Sequence, residues 1–169
     1  MKLKSILHVM DSVSEWSGKI FIWIVIPLTI IVVFEVISRR ILNTPHVWST
    51  EVISYLYGTH FMLVAAYTLL YKGHVSIDLL FQKFTPRWQG IIEIFNYLVF
   101  FFPFCFIIFQ QGFIYANNSW QMHETSQTAA LTIVPLIKTT IPLTFLLLLI
   151  QGIANFIRSI YMAVKGKEL

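Results

Sequence analysis

Four long apolar runs dominate this chain and constrain its fold more than any other feature. A helix that crosses a bilayer needs about 20 mostly apolar residues. Stretches that meet this need run over residues 20–38, 49–71, 90–111 and 139–157. Only 12% of the residues are charged and 57% are hydrophobic, where a soluble domain carries about 25% charged residues. The expected fold class is therefore an all-α integral membrane protein, with residues 1–169 forming a single membrane domain. Pro27 and Pro103 fall inside the first and third runs, and Pro142 falls in the first turn of the fourth, where proline is tolerated. Residues Thr125 to Ile137 are apolar but interrupted by Pro135 and Lys138, and read as a re-entrant or interfacial lead-in.

Two shorter segments have a different pattern. In residues 3–18, Leu3, Ile6, Leu7, Met10, Val13 and Trp16 recur at the spacing of one helical face, and Lys4, His8, Asp11 and Glu15 fall mostly elsewhere. Residues 75–85 repeat the arrangement with Ile77, Leu80, Phe81 and Phe84, closed by Pro86. Both are expected to be amphipathic helices lying in the membrane interface. The N-terminal segment lacks the unbroken apolar core and small-residue site of a cleavable signal.

Lysine and arginine placement gives the orientation. With both termini cytoplasmic, the inner segments carry Lys2, Lys4, Lys19, Lys72, Lys83, Arg87, Arg158, Lys165 and Lys167. The outer ones carry Arg39, Arg40 and Lys138. The net charge of +4 thus reflects topology and contact with membrane lipid, not nucleic acid. The single cysteine, Cys105, excludes an intrachain disulfide and argues against a cysteine-based metal or redox centre.

The connection between the first two runs, "FEVISRRILNTPHVWSTE", concentrates charge against that bias. Glu35 and Arg39 are four residues apart and can pair on one helix. Glu51 is expected in the first turn of the next helix, with Ser49 as its cap. Arg40 is placed to reach Glu51 across the hairpin. Three readings stay open: a clasp that holds two helices together, a contact with a partner protein, or part of a substrate or ion path.

Other candidates are sparser. His46, His60 and His74 are spaced fourteen apart, as haem ligands on one helix sometimes are, but no second helix supplies partner histidines. His60 is expected to bond a neighbouring helix, since ionisable groups inside a membrane are costly. Glu93 is expected to pair or snorkel near Arg87 and Gln89. Asn96, Gln110, Gln111, Asn117 and Asn118 offer the third run polar contacts with neighbouring helices. There is no internal repeat of the kind transport paths are built from. No nucleophile–base pair, phosphate loop or metal cluster is present, so no enzyme and no cofactor is expected.

Larger motifs then carry a resemblance. The order Arg40, Asn43, Pro45, Trp48, Glu51 at the first hairpin, Gly73-His74 followed by Asp78, and Pro142 and Gln151 in the last run resemble the small permease subunit of TRAP transporters. These are the tripartite ATP-independent periplasmic systems of bacteria and archaea. The similarity spans about Gly18 to Ile160. One departure is that Thr50 precedes a single Glu51, where family members often carry two adjacent acids. The resemblance implies a multi-pass subunit of the bacterial inner membrane. It also implies a large elevator-type membrane subunit and a periplasmic substrate-binding protein as partners, sodium-driven uptake of an organic acid, and a small subunit that acts as a scaffold without binding substrate. On this reading Glu35, Arg39, Arg40, Trp48, Glu51, His60, His74 and Asp78 are structural or subunit-interface residues. A haem-bearing membrane anchor of a redox complex and a small autonomous transporter are the alternatives.

Overall fold

A computed structural model describes residues 2–71, 84–126 and 132–166. The described residues are all-helical, and four helices are long and apolar enough to cross a membrane. We label the α-helices α1 (Lys2–Phe21), α2 (Val25–Arg40), α3 (Val47–Leu70), α4 (Pro86–Asn96), α5 (Phe102–Gln121) and α6 (Val134–Lys165).

The first apolar run does not begin a separate helix. A single 3₁₀ turn, Ile22–Ile24, joins α1 to α2, giving a helical stretch of 37 residues from Lys4 to Arg40. At 1.5 Å per residue that is about 55 Å, well beyond the roughly 30 Å of a hydrocarbon core. Part of it must therefore lie outside the core or along its surface.

The faces of α1 differ from the sequence expectation. Leu7 and Ser14 are buried, and Asp11 and Gly18 share their side. Ile6, Val9, Val13, Trp16 and Ile20 form an exposed apolar stripe on the opposite side. The expected apolar face is thus split, because Leu7 turns inward. The close approach of Gly18 to Tyr67 and the bond between Asp11 and Gln151 decide which side meets the bundle. Lys4, His8, Ser12, Glu15 and Lys19 form a polar flank, tied along the helix by Lys19 to Glu15 at 2.6 Å.

α4 and α5 are joined through a π-helical turn, Tyr97–Phe101, immediately before Pro103. The cause is local. Proline lacks an N–H and crowds the carbonyl four residues back, and a widened turn relieves both. The turn directs Phe101 onto Gly152 of α6, where an added Cβ would lie 2.2 Å from the ring. The helix then continues to Gln121, ten residues past the expected end of the third run.

α6 packs against α1, α3, α4 and α5 and is the central element of the bundle. It starts at Val134, so residues 134–137 belong to this helix and are not a separate lead-in; Pro135 sits in its first turn. Pro142 is therefore in the helix interior, not its first turn, and is buried. Gly166, at φ 67°, ends the helix in the left-handed conformation that glycine adopts without a Cβ penalty. Pro86 opens α4. The expected in-plane helix at 75–85 lies outside the described residues but for Phe84 and Thr85, which are not helical.

Candidate functional site

The hairpin between α2 and α3 closes through its backbone. Asn43 takes a left-handed conformation at φ 57°, which asparagine tolerates better than most residues. The Thr44 N–H returns to the Ser38 carbonyl at 3.0 Å. Pro45 and an extended His46 then lead into α3 at Val47.

This turn brings Glu35 under the start of α3. Glu35 is only 5% exposed, so its charge needs donors. Arg39 supplies two, from Nη2 at 2.9 Å and Nε at 3.2 Å to Oε1. Ser49 Oγ lies 2.5 Å from Oε2 and 2.7 Å from the His46 carbonyl. The hydroxyl has one proton, and the carboxylate is the stronger acceptor. Ser49 is therefore not the helix cap the sequence suggested. α3 starts two residues earlier than expected, and this turns the hydroxyl of Ser49 inward. Phe34, His46 and Trp48 cluster beside it, with ring centroids 5.6–6.3 Å apart.

Arg40 and Glu51 do not pair. Arg40 is exposed on the wall of a shallow groove with Val32, Val36, Thr50, Ile53 and Ser54. It forms no ion pair among the described residues. Glu51 lies past the first turn of α3 and within electrostatic reach of Tyr55, as do Glu124 and Lys138. Glu124 accepts from Lys138 Nζ at 2.5 Å and from Ser119 at 2.7 Å. Lys138 also stands 3.9 Å over the Tyr115 ring. The Lys138 hydrogen bond, then the Ser119 one, hold the Glu124 carboxyl below its ordinary value of 4.5. A depressed carboxyl stabilises the fold above its unfolded pKa and loses that effect as pH falls through the folded value. Stability is therefore expected to fall on acidification below about pH 4.5. Thermal unfolding of Glu124→Gln should show a shallower fall than the parent chain over the same range.

His60 meets the neighbouring helix as expected, with Nδ1 3.0 Å from the Phe21 carbonyl. The 3₁₀ turn explains the choice of partner. The Val25 N–H bonds the Ile22 and Trp23 carbonyls, so the Phe21 carbonyl lacks its usual donor four residues on and takes the imidazole N–H. His74 and Asp78 lie outside the described residues.

A second polar cluster, with little sign in the sequence, ties α1, α3, α4 and α6. Gln151 is fully buried and donates to Asp11 at 3.2 Å and to Asn155 at 3.3 Å. Arg158 bonds both Asp11 and Asn155, and Asn155 reaches the Leu69 carbonyl at 3.4 Å. Glu93 accepts from Ser159 at 2.5 Å, a partner on α6 in place of Arg87 or Gln89. The available signal was Gln151, the one glutamine inside the last apolar run.

Charged groups here join helices to one another, and broad apolar surfaces remain uncovered on Trp23, Phe61, Phe100, Phe106 and Phe113. Residues 28–161 match the family model described as tripartite ATP-independent periplasmic transporters, DctQ component. The chain belongs to the DctQ family. It is the small permease component of a TRAP transporter and a multi-pass membrane protein. The DctQ match covers the hairpin clasp and the α3, α4 and α6 members of the second cluster, and Asp11 lies before it. It brings with it, as partners of the family in general, a large membrane subunit and a binding protein. No curated protein and no solved structure matches the chain.

Proposed function

We propose that this chain is the non-transporting scaffold subunit of a sodium-coupled TRAP system in a bacterial inner membrane. It packs on the large elevator subunit and so supports uptake of an organic acid delivered by a periplasmic binding protein. The observation that carries this reading is the use made of charge. Glu35, Asp11, Arg158 and Glu93 direct their hydrogen bonds to neighbouring helices or to their own helix, and Lys138 directs its own to Glu124 just past the end of α5. A transport path through this chain would instead leave such groups facing a cavity that spans it.

The supporting roles follow from the same surfaces. The exposed apolar stripe of α1 and its polar flank suit a helix lying in the membrane interface, with both termini cytoplasmic and the Glu35 hairpin on the outer side. There the hairpin serves as clasp first and as a surface near the docking binding protein second. Glu35, Arg39, Trp48, Glu51 and His60 are structural on this reading, and so are His74 and Asp78.

The test is transport by the reconstituted complex. His60→Leu removes the tie to Phe21 and is expected to lower the yield of assembled complex while leaving the number of sodium ions per substrate unchanged. A changed stoichiometry, or uptake by this chain alone in liposomes, would overturn the scaffold reading. Tagged chain purified gently from its own membrane should bring a large polytopic subunit with it.

A further inference from the structure

The groove between α2 and α3 is unused by the clasp, and its lining is chemically specific. Arg39 and Arg40 stand at its mouth, with Thr50 and Ser54 beside them, and Val32, Val36 and Ile53 form its apolar depth. We propose that this groove binds one phospholipid, its phosphate held at Arg40 and Arg39 and the start of an acyl chain laid along the valines and Ile53.

Three observations carry this. The first is charge. Glu35 is the carboxylate in the groove wall, and it is already engaged by Arg39 and Ser49. Arg40 has no counter-charge among the described residues, so the mouth is left net positive. A guanidinium is well matched to a phosphate. The second is placement. With both termini cytoplasmic, as proposed above, the two arginines sit on the side of the membrane that the lysine and arginine bias disfavours. A lipid phosphate at the interface supplies the local partner that makes this tolerable. The third is the apolar wall. Val32 and Val36 are exposed on a membrane-spanning helix, at 37% and 54%, directly below the cationic mouth, so a single ligand reaching both must be amphipathic. A carboxylate from a docking protein would satisfy Arg40 and leave this wall unexplained. The groove encloses about 390 Å³, room for roughly a dozen water-sized groups. That fits a phosphate with the first methylenes of one chain, not a whole lipid.

The experiment uses the full chain, with any subunit that co-purifies, exchanged into detergent with added phosphatidylglycerol and read by native mass spectrometry. One retained phosphatidylglycerol is expected, with phosphatidylcholine retained less. Arg40→Gln, which leaves the Glu35–Arg39 clasp intact, should weaken retention about fivefold, what one arginine beside an anionic lipid surface is worth. Val36→Trp fills the apolar wall and leaves both charges, and it should also reduce retention. Because Val36 is exposed, that variant should fold normally, and unchanged thermal unfolding would verify this. Equal retention in the parent and both variants would overturn the proposal. So would equal retention of phosphatidylglycerol and uncharged diacylglycerol, or crosslinks from Val36 to the large subunit in place of lipid.

Discussion

Gly90→Ala is expected to force α4 away from α6 and to cost about 1–3 kcal/mol of stability, the usual penalty for overpacking a tight contact. A Cβ at position 90 would lie 2.6 Å from the Ala163 nitrogen and 2.8 Å from the Ser159 carbonyl oxygen. Both are backbone atoms in the last two turns of a 32-residue helix, so no rotamer change relieves the clash. The same contact brings Ser159 to Glu93 at 2.5 Å, and separation of the helices should weaken that bond as well. Small residues where membrane helices meet allow this close packing, which lipid alone does not drive. Gly58 provides the control, because a Cβ there meets nothing within 4 Å. Gly58→Ala should be neutral or stabilise by roughly 0.5–1 kcal/mol, since alanine is the better helix former. Thermal unfolding of the two variants in the same detergent checks both. Equal losses at the two positions would mean that α4 and α6 do not approach as described.

Much of the fold was legible in the sequence because membrane burial leaves a strong and simple mark. A run of 20 apolar residues has few alternatives to a spanning helix, and the four runs correspond to four such helices in the structure. Helix ends were less legible. The continuous path through Ile22–Ile24, the extension of α5 to Gln121 and the early start of α6 all depend on backbone hydrogen bonds. Hydropathy does not report these. The clasp was half legible. The Glu35–Arg39 pair is an i,i+4 contact and reads from spacing alone, whereas the Ser49 bond needs the turn geometry at Asn43 and the position of the first residue of α3. Arg40 and Glu51 are close in sequence and opposite in charge, yet Arg40 lines the groove with Thr50 and Ser54 while Glu51 stands near Tyr55. The Asp11–Gln151–Asn155–Arg158 cluster joins residues up to 147 positions apart, and no local pattern encodes such a contact.

Glu35→Ala is expected to be the most damaging single charge change at the hairpin, and Arg40→Ala close to silent for assembly. Glu35 is 5% exposed, and its removal leaves Arg39 without its carboxylate and Ser49 without its acceptor on α2. The loss is the tie between helices: Ser49 is fully buried and keeps only the His46 carbonyl on its own side, while Arg39, with its side chain 55% exposed, turns to water and no longer braces the hairpin. Glu35→Gln should fall between the two. The amide oxygen still accepts from one donor, but it has no charge to hold Arg39 and adds an N–H that faces Ser49. The readout is the amount of large subunit co-purified with each variant, normalised to the amount of this chain in the membrane. A steep loss for Glu35→Ala, a partial loss for Glu35→Gln and none for Arg40→Ala would establish that the hairpin is held by the buried carboxylate. If Arg40→Ala instead lost the partner and Glu35→Ala kept it, the exposed arginine would be the contact and the clasp dispensable. The charged hairpin would then be a docking surface first, and its buried pair only the means of presenting it.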